Sequence, residues 1–459
     1  MSLIIIATLI ISYLLIATES VTKVNKAAIA IFAGTVGWVL YISWGTDFVM
    51  FQYENEYMKW LDGAFPTGFT VKQFIAQNIF LKHIGKAAEI VLFLLATMTI
   101  VEILNNNGCF DPLTAWLRTR NSRKLLWTMS FATFIISANL DNLTTTVMML
   151  VLMHNMVSSH RQRIVYGSVI VIAANAGGAL TVIGEPTGLV LWNMGAVTAS
   201  DFSLSLFLPC MVAYVIPTWW IGRSLPDRID VVYQPLPYRG DDTNLKIWQR
   251  VVMLFVGIGG LWFIPTFHSI TQLSPFLGAL CVLSVLWVVN EIFNRKLMDV
   301  DKMVSRRTPR VLQYGVIQMM LFVVGIMLAL GVMQEIGVVD WMANVFDEYF
   351  YNVWLNGLLA GLFSSFLDNF ATAMSFISFH EVVTDASIGH MMSFTQNGWF
   401  WKVIAYSSAV GGSIMSIGSM SGIALMKMER VRVGWYLKNV GAAALAGWIA
   451  GLLIMYFMS

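Results

Sequence analysis

Long apolar runs alternate with short polar segments along most of the chain, and two polar clusters interrupt this pattern. Apolar runs of about 17–25 residues predict helices that cross a membrane. The pattern therefore predicts about ten transmembrane helices, together with two helical hairpins that contain the polar clusters. The predicted spans lie near residues 3–18, 27–44, 87–104, 164–199, 203–222, 251–267, 275–291, 311–336, 400–426 and 434–457.

The two polar clusters share an Asp-Asn pair. The first covers residues 137–146 with Asp141 at its centre, and the second covers residues 364–373 with Asp368 at its centre. A carboxylate at membrane depth costs at least about 2.5–3.5 kcal/mol on insertion scales, so it seldom lacks a function. The alternative is that each Asp only caps the helix that follows it. Capping and ion binding are compatible with each other.

The chain contains an internal repeat. Besides the Asp-Asn pairs, Gly177 and Gly178 in the first half match Gly411 and Gly412 in the second half. Internal repeats with broken helices are typical of secondary transporters, and paired glycines allow a close approach to the hairpin tips. Hairpins are predicted around 124–158 and 350–380, and broken helices over 164–199, with breaks at 175–178 and 184–188, and over 400–426, with breaks at 411–413 and 418–422.

Composition supports the membrane assignment. The chain is 57% hydrophobic and only 12% charged, whereas soluble domains have about 25% charged residues. The three cysteines have no CxxC spacing, which argues against a disulfide framework or a zinc site. No HExxH or GxSxG motif occurs, so we expect neither an enzyme nor a cofactor. We expect the lipid bilayer as a partner, and we expect no nucleic-acid partner.

Basic residues predict the orientation. If each polar cluster lies in a re-entrant hairpin, 23 of the 28 Lys and Arg residues fall on one side of the membrane. The positive-inside rule makes that side cytoplasmic. The first hairpin then opens to the cytoplasm and the second to the outside, so the repeats are inverted. We expect an integral multi-pass protein of the plasma (inner) membrane with both termini external.

The same pattern divides the chain into five regions. We assign N-terminal scaffold helices and an external loop first, then a first repeat, a hydrophilic cytoplasmic connector, further scaffold helices with a basic loop, and a second repeat. In that order, the regions are 1–85, 86–222, 223–250, 251–310 and 311–459.

The candidate ligands near the two carboxylates are oxygen atoms. Thr144 and Thr145 share the helical face of Asp141, and Thr372 lies four residues after Asp368. Carboxylate, hydroxyl and amide oxygens suit a hard cation such as Na⁺, while removal from water favours the protonated carboxyl group. Competition between Na⁺ and H⁺ for one carboxylate allows exchange.

We therefore name a set of candidate residues. Asp141 and Asp368 are the expected Na⁺ and proton carboxylates, and Glu185 is a third acidic candidate unless it is a solvated loop residue. His83, Glu89 and Glu102 are candidates for pH sensing or a proton path, with interfacial or solvated positions as the alternative. The remaining expected ion- or proton-binding residues are Asn142, Thr144, Thr145, Asn175, Thr187, Asn369, Thr372, Ser413 and Ser416.

These motifs resemble the NhaD-type sodium/proton antiporters of the ion transporter superfamily. The residues that carry the resemblance are DNLTT at 141–145, AANAGGA at 173–179, LDN at 367–369 and VGGSIMSIGS at 410–419. Two departures stand out: Glu185-Pro186 replaces the usual Asp, and Phe370-Ala371-Thr372 replaces the usual Ile-Pro.

The resemblance implies an all-α membrane protein with scaffold and transport domains, an elevator-like alternating-access mechanism and a homodimer. It implies exchange of Na⁺, with Li⁺ as a further substrate, for H⁺ and hence a part in pH homeostasis. The alternatives are a sodium-coupled anion symporter of the dicarboxylate type and an arsenite-type carrier of the same superfamily. We favour cation exchange because no Lys or Arg falls in the predicted midplane segments.

Overall fold

The computed structural model describes residues 2–22, 24–110, 117, 119–228, 245–294, 310–349, 352–383 and 391–459. All regular secondary structure in these ranges is helical. Eight helices in them are long and apolar enough to cross a membrane. The predicted all-α, polytopic membrane class is therefore confirmed. The eight are Lys26–Ser43, Gly68–Asn106, His160–Leu180, Ala199–Gly222, Ile247–Thr271, Pro275–Phe293, Ile317–Glu335 and Val433–Met458.

The helices of the first half end before the connector. They are α1 (Ser2–Ala17), α2 (Glu19–Thr22), α3 (Lys26–Ser43), α4 (Gly45–Gln52), α5 (Glu54–Leu61), α6 (Gly68–Phe74), α7 (Leu81–Asn106), α8 (Ser122–Asn139), α9 (Asn142–Met156), α10 (His160–Leu180), α11 (Pro186–Asn193) and α12 (Ala199–Gly222), with a π-helical turn at Ile75–Phe80.

The second half follows the connector, most of which lies outside the described residues. Its helices are α13 (Ile247–Leu254), α14 (Gly260–Thr271), α15 (Pro275–Asn294), α16 (Arg310–Glu335), α17 (Val338–Tyr349), α18 (Val353–Phe366), α19 (Asn369–Ile377), α20 (Trp399–Gly411), α21 (Met420–Glu429), α22 (Val433–Tyr436) and α23 (Ala442–Met458), with π-helical turns at Phe255–Gly259 and Leu437–Gly441 and a 3₁₀ turn at Met391–Phe394.

Two predicted features of the chain differ in the structure. The stretch over 45–70, expected as an external loop with a short helix, is mostly helical: α4, α5 and the start of α6 lie in it, and Tyr57 and Trp60 pack against Phe74. The break expected at 175–178 is not a break, since α10 continues to Leu180. A glycine costs only about 1 kcal/mol inside a helix, and packing offsets this cost.

The chain divides into two compact units. The first comprises Met1–Val91, Ile317–Tyr351 and Met374–Glu381, and the second comprises the remainder. In the first unit α3 packs tightly on α16: a Cβ atom at Gly34 would lie 2.8 Å from Cβ of Leu328, and one at Gly325 would lie 2.5 Å from the backbone of Ala30. The indole Nε1 of Trp38 donates a hydrogen bond of 3.0 Å to the carbonyl oxygen of Leu328, which fixes this contact.

The second unit holds both Asp-Asn pairs. Here α12 packs along α23, where Gly447 lies against the carbonyl oxygen of Ala213. The hydroxyl of Tyr406 on α20 donates to the carbonyl oxygen of Trp448 on α23 at 3.0 Å. These contacts enclose α10 and α20, the two helices that lead into the interruptions, in the core of this unit.

Candidate ion-binding site

Both aspartates cap a helix. Oδ1 of Asp141 accepts a hydrogen bond from the backbone N–H of Thr144 at 2.8 Å, at the start of α9. Oδ1 of Asp368 accepts from the backbone N–H of Phe370 at 3.0 Å, at the start of α19. Both residues are buried, at 4% and 3% exposure. Helix capping therefore accounts for the contacts of Oδ1 in each aspartate.

The second oxygen of Asp141 has a different environment. Oδ2 is buried and forms no hydrogen bond to any residue in the described ranges. A buried charged oxygen without a partner is costly, and native proteins rarely keep one without reason. This atom can therefore accept a proton or a cation without breaking an existing hydrogen bond.

Several buried hydroxyls share this property. The hydroxyl oxygens of Thr145 and Thr372, which occupy equivalent positions of the two repeats, form no hydrogen bond within the described part of the chain. The same holds for the predicted ligands Thr187 and Ser416, and for Thr144, which is half-buried. Each hydroxyl keeps lone pairs that can face a cation.

Glu185 joins the two repeats. Its Oε1 accepts a hydrogen bond of 3.0 Å from Nδ2 of Asn142 and another from Nδ2 of Asn369. Glu185 lies at the N-cap position of α11, immediately before Pro186, but its side chain does not cap that helix. The carboxylate is buried, so the alternative of a solvated loop glutamate does not describe this structure.

Asn175 extends this network into the second half. Its Nδ2 donates to the hydroxyls of Ser413 and Ser419, at 2.9 Å each. Its Oδ1 accepts from Nδ2 of Asn142 at 3.4 Å. Asn175 is fully buried on α10. The predicted residues Asn142, Asn175, Glu185, Asn369 and Ser413 are therefore connected by hydrogen bonds.

In both repeats, paired glycines allow a close contact between two segments. One is the non-helical segment that follows α10 or α20, which we call the interruption, and the other is the Asp-Asn pair between the two helices of each hairpin, which we call the tip. A Cβ atom at Gly178 would lie 3.1 Å from the carbonyl oxygen of Gly184 and 3.2 Å from Cβ of Asn142. At Gly412 it would lie 2.8 Å from the carbonyl oxygen of Gly418 and 3.3 Å from Cβ of Asn369. The contact leaves little room for a side chain.

The preceding glycines of each pair also touch backbone. Gly177 lies against the carbonyl group of Phe134 on α8, and a Cβ at Gly411 would lie 2.6 Å from the carbonyl oxygen of Gly361 on α18. Phe134 and Gly361 are separated by the same shift as the two Asp-Asn pairs. The internal sequence repeat is thus accompanied by matching contacts.

The donor atoms of this site define the ions that it can hold. They are carboxylate, amide and hydroxyl oxygens, which suit hard cations. Among the described residues, no group of three or more His, Cys, Asp and Glu side chains could hold a metal ion. The donor set suits an alkali cation, and each carboxylate can hold a proton instead.

Comparison with known proteins identifies the family. Sodium/proton antiporter 2 of Arabidopsis thaliana is 32% identical over 370 residues, which are 80% of this chain and 85% of that protein. Sodium/proton antiporter 1 of the same plant is 34% identical over 375 residues, but this chain spans only 61% of its length. The Na(+)/H(+) antiporter NhaD of Vibrio parahaemolyticus is 28% identical over 392 residues, covering 79% of this chain and 89% of that protein.

A family model described as a citrate transporter also matches residues 1–394. The chain belongs to this family. The resemblance to NhaD-type sodium/proton antiporters that its motifs carry is confirmed by the named relatives. Its membership in a family of transporters also agrees with the absence of enzyme motifs from the sequence.

The three candidates for pH sensing or a proton path lie on α7. His83 on α7 pairs with Glu335 on α16, with Nε2 2.7 Å from Oε1, inside the first unit. Glu89 and Glu102 lie on α7 and are half-buried.

Three further residues form hydrogen bonds around the site, although the sequence analysis did not predict them as site residues. Ser137 and Ser364 donate to the carbonyl oxygens of Ala174 and Ser408 at 2.6 and 2.5 Å, which ties each tip to its interrupted helix. The hydroxyl of Tyr436 donates to the carbonyl oxygen of Ser413 at 3.1 Å. Only the equal spacing of the two serines from their Asp-Asn pairs marks them in the sequence.

Proposed function

We propose that this protein is a secondary active transporter that exchanges Na⁺, and also Li⁺, for H⁺. The observation that carries the proposal is the free, buried Oδ2 of Asp141 at the start of α9, which has no protein partner in the described ranges. A carboxylate in that state binds either a proton or a hard cation, and the two compete for one atom. The names of the relatives support the same exchange.

Asp141 and Asp368 are the proposed primary carboxylates. Thr144, Thr145, Thr187, Thr372 and Ser416 supply hydroxyl oxygens, while Asn142, Asn175, Asn369 and Ser413 fix the surroundings through hydrogen bonds. Glu185 adds a third negative charge and accepts from both asparagines. Binding of Na⁺ neutralises charge in the site, and a proton on a carboxyl group does so in its absence.

The proposed transport cycle is an elevator-like alternating access. We propose that α8–α9 and α18–α19 are re-entrant hairpins of two inverted repeats, and that they move with the interrupted helices as a transport domain. The matched glycine contacts support the repeat, and the basic-residue distribution supports the inversion. Placement in the plasma membrane with both termini external, and a homodimer, complete this proposal.

A second candidate function is a sodium-coupled anion symporter, with an arsenite-type carrier as a further relative. The description of the matching family model as a citrate transporter favours the first of these. The site has hydroxyl donors, but a dicarboxylate would lie among three buried acidic side chains, Asp141, Glu185 and Asp368, and no Lys or Arg is among the proposed site residues to offset the repulsion. Cation exchange therefore fits the donor set better.

The deciding experiment uses purified protein in proteoliposomes with an internal pH dye. Addition of Na⁺ to wild-type vesicles is expected to dissipate a preset pH gradient, and Asp141→Asn is expected to abolish this response. Glu291→Gln, an exposed residue on α15 that bonds Trp287, serves as the matched control. Unchanged exchange by Asp141→Asn refutes the site, and sodium-stimulated uptake of radiolabelled citrate without proton exchange supports the second candidate.

A further inference from the structure

A buried carboxylate lies at the far end of the helices that carry the proposed site. Glu429 is the last residue of α21, and its side chain is 1% exposed. Its Oε1 lies 2.6 Å from Nδ1 of His154 on α9, and its Oε2 accepts from Nε of Arg163 on α10 at 2.9 Å. We call Glu429, His154, His160 and Arg163 the Glu429 junction.

The junction also binds backbone groups. Arg163 donates through Nη1 to the carbonyl oxygens of Val157 and Ser158, at 3.2 and 2.9 Å, just beyond the end of α9. Nε2 of His160 donates to the carbonyl oxygen of Glu429 at 2.9 Å. Side-chain and backbone bonds thus hold the end of α9, the start of α10 and the end of α21 together.

The same three helices carry the site at their other ends or along their length. Helix α9 begins directly after Asp141, α10 carries Asn175, and α21 begins after Ser419. His154 lies 12 residues after Asn142 on α9, so the junction and the tip are separated by about 18 Å along its axis. A change at the junction can therefore act on the site only by moving helices.

The charges at the junction depend on one titratable cation. A glutamate at a helix C-terminus is disfavoured by the helix dipole, so the Glu429 carboxylate relies on cationic partners. Arg163 keeps its charge at all accessible pH values, whereas histidines change charge between about pH 5 and 8. The His154 side chain is 50% exposed and can exchange protons with water.

The other charged and titratable groups are few. His160 faces the Glu429 backbone, Arg161 is its exposed neighbour on α10, and Lys427 and Arg430 belong to the segment of Glu429 itself. Of the two histidines, only His154 contacts the carboxylate.

We propose that the Glu429 junction is a pH-responsive positioning element for the ion site, in which protonated His154 holds α9 against α10 and α21. The proposal rests on the proposed function, because the site whose geometry it controls is the Na⁺ site. A charge-assisted hydrogen bond is roughly twice as strong as a neutral one. Loss of the His154 proton weakens the junction, loosens the α9 tip and lowers the affinity for Na⁺.

The test compares the apparent KM for Na⁺ of wild type and His154→Gln at the same pH, so that proton competition at Asp141 cancels in the ratio. At pH 6 we expect the KM of His154→Gln to be roughly fivefold higher than that of wild type. At pH 8.5 we expect the two values to agree within about twofold. His268→Gln, a half-buried histidine outside the junction whose Nδ1 contacts the carbonyl oxygen of Leu273 and whose ring packs against Trp192, should match wild type at both pH values.

Two outcomes overturn the proposal. If the KM of His154→Gln exceeds that of wild type by the same factor at both pH values, His154 has only a structural role. If the two KM values are equal at both pH values, the junction does not affect Na⁺ binding. Hydrogen exchange of the α9 amides, expressed as protection factors, is measured on the same full-length proteins. If the protein does not exchange Na⁺, the proposed function fails. The junction is still supported in that case if the α9 amides of His154→Gln are less protected than those of wild type at pH 6 but not at pH 8.5.

Discussion

Asn142 and Asn369 donate side-chain hydrogen bonds to the same oxygen atom, Oε1 of Glu185. The two asparagines follow the capping aspartates of the two repeats, so this single atom links both tips. An amide donor that loses its acceptor inside a protein costs about 1–3 kcal/mol. The length of the side chain at this position is therefore expected to matter as well as its charge.

Replacing Glu185 with Asp tests this dependence. The shorter side chain cannot keep both amides at hydrogen-bonding distance, so at least one asparagine loses its bond to the carboxylate. We expect the apparent affinity for Na⁺ to fall about tenfold, from the loss of one buried hydrogen bond. The measurement is the Na⁺ dependence of pH-gradient dissipation in proteoliposomes, with Glu291→Asp on the exposed face of α15 as the matched control. An affinity equal to wild type would contradict the role of the shared oxygen.

Asn175 and Ser413 are expected to be energetically coupled. Their side chains are 2.9 Å apart and buried, and they join α10 to the interruption in the second half. In a double-mutant cycle, Asn175→Ala and Ser413→Ala should show a coupling energy of about 0.5–1.5 kcal/mol. Denaturant unfolding of the purified protein in detergent measures it. Additive effects within about 0.3 kcal/mol would show that the hydrogen bond is not important for stability.

Gly184 is expected to tolerate no side chain. A Cβ atom there would lie 2.7 Å from the carbonyl oxygen of Gly178 and 2.8 Å from that of Ser137. We expect Gly184→Ala to cost about 1–3 kcal/mol through backbone displacement and to lower the melting temperature. Gly85→Ala makes the same change on α7, where no atom lies within 4 Å, and should stabilise the helix by about 0.5–1 kcal/mol. Equal melting temperatures for the two variants would refute the tight contact.

The His83–Glu335 pair is expected to stabilise the first unit. Both side chains are largely buried, at 11% and 7% exposure. Removing one partner of a buried hydrogen-bonded pair leaves the other polar group unsatisfied, which costs about 1–3 kcal/mol, or more for a charged group. His83→Ala should therefore lower the melting temperature strongly, and His83→Ala/Glu335→Gln should recover part of the loss. No recovery in the double variant would show that cavity formation, rather than the unpaired carboxylate, dominates.

The sequence predicts the positions of the tips because carboxylates in an apolar run are conspicuous. Asp141 and Asp368 are visible for this reason, and the helix pairs around them have bounds close to those expected. Their role as N-caps is also readable, since Asp is a favoured N-cap residue. Local chemistry thus determines this part of the site.

The partners of each polar atom depend on tertiary contacts and are not readable. Nothing local indicates that Glu185 reaches Asn369, which lies 184 residues away. The continuation of α10 through Gly177 is equally non-local, because its contact with Phe134 comes from another helix. The Glu429 junction joins residues that are up to 275 positions apart, so no spacing rule reveals it.

The unpaired hydroxyls identify where cation selectivity can be engineered. Thr145, Thr372 and Ser416 have no intramolecular bond to lose in the described part of the chain, whereas the glycines beside the tips have no spare volume. Replacement of a hydroxyl alters the size and dipole of the coordination shell without dismantling the scaffold around it. Under the proposed function, directed variation at these three positions is expected to change the preference between Na⁺ and Li⁺ in a protein that still folds.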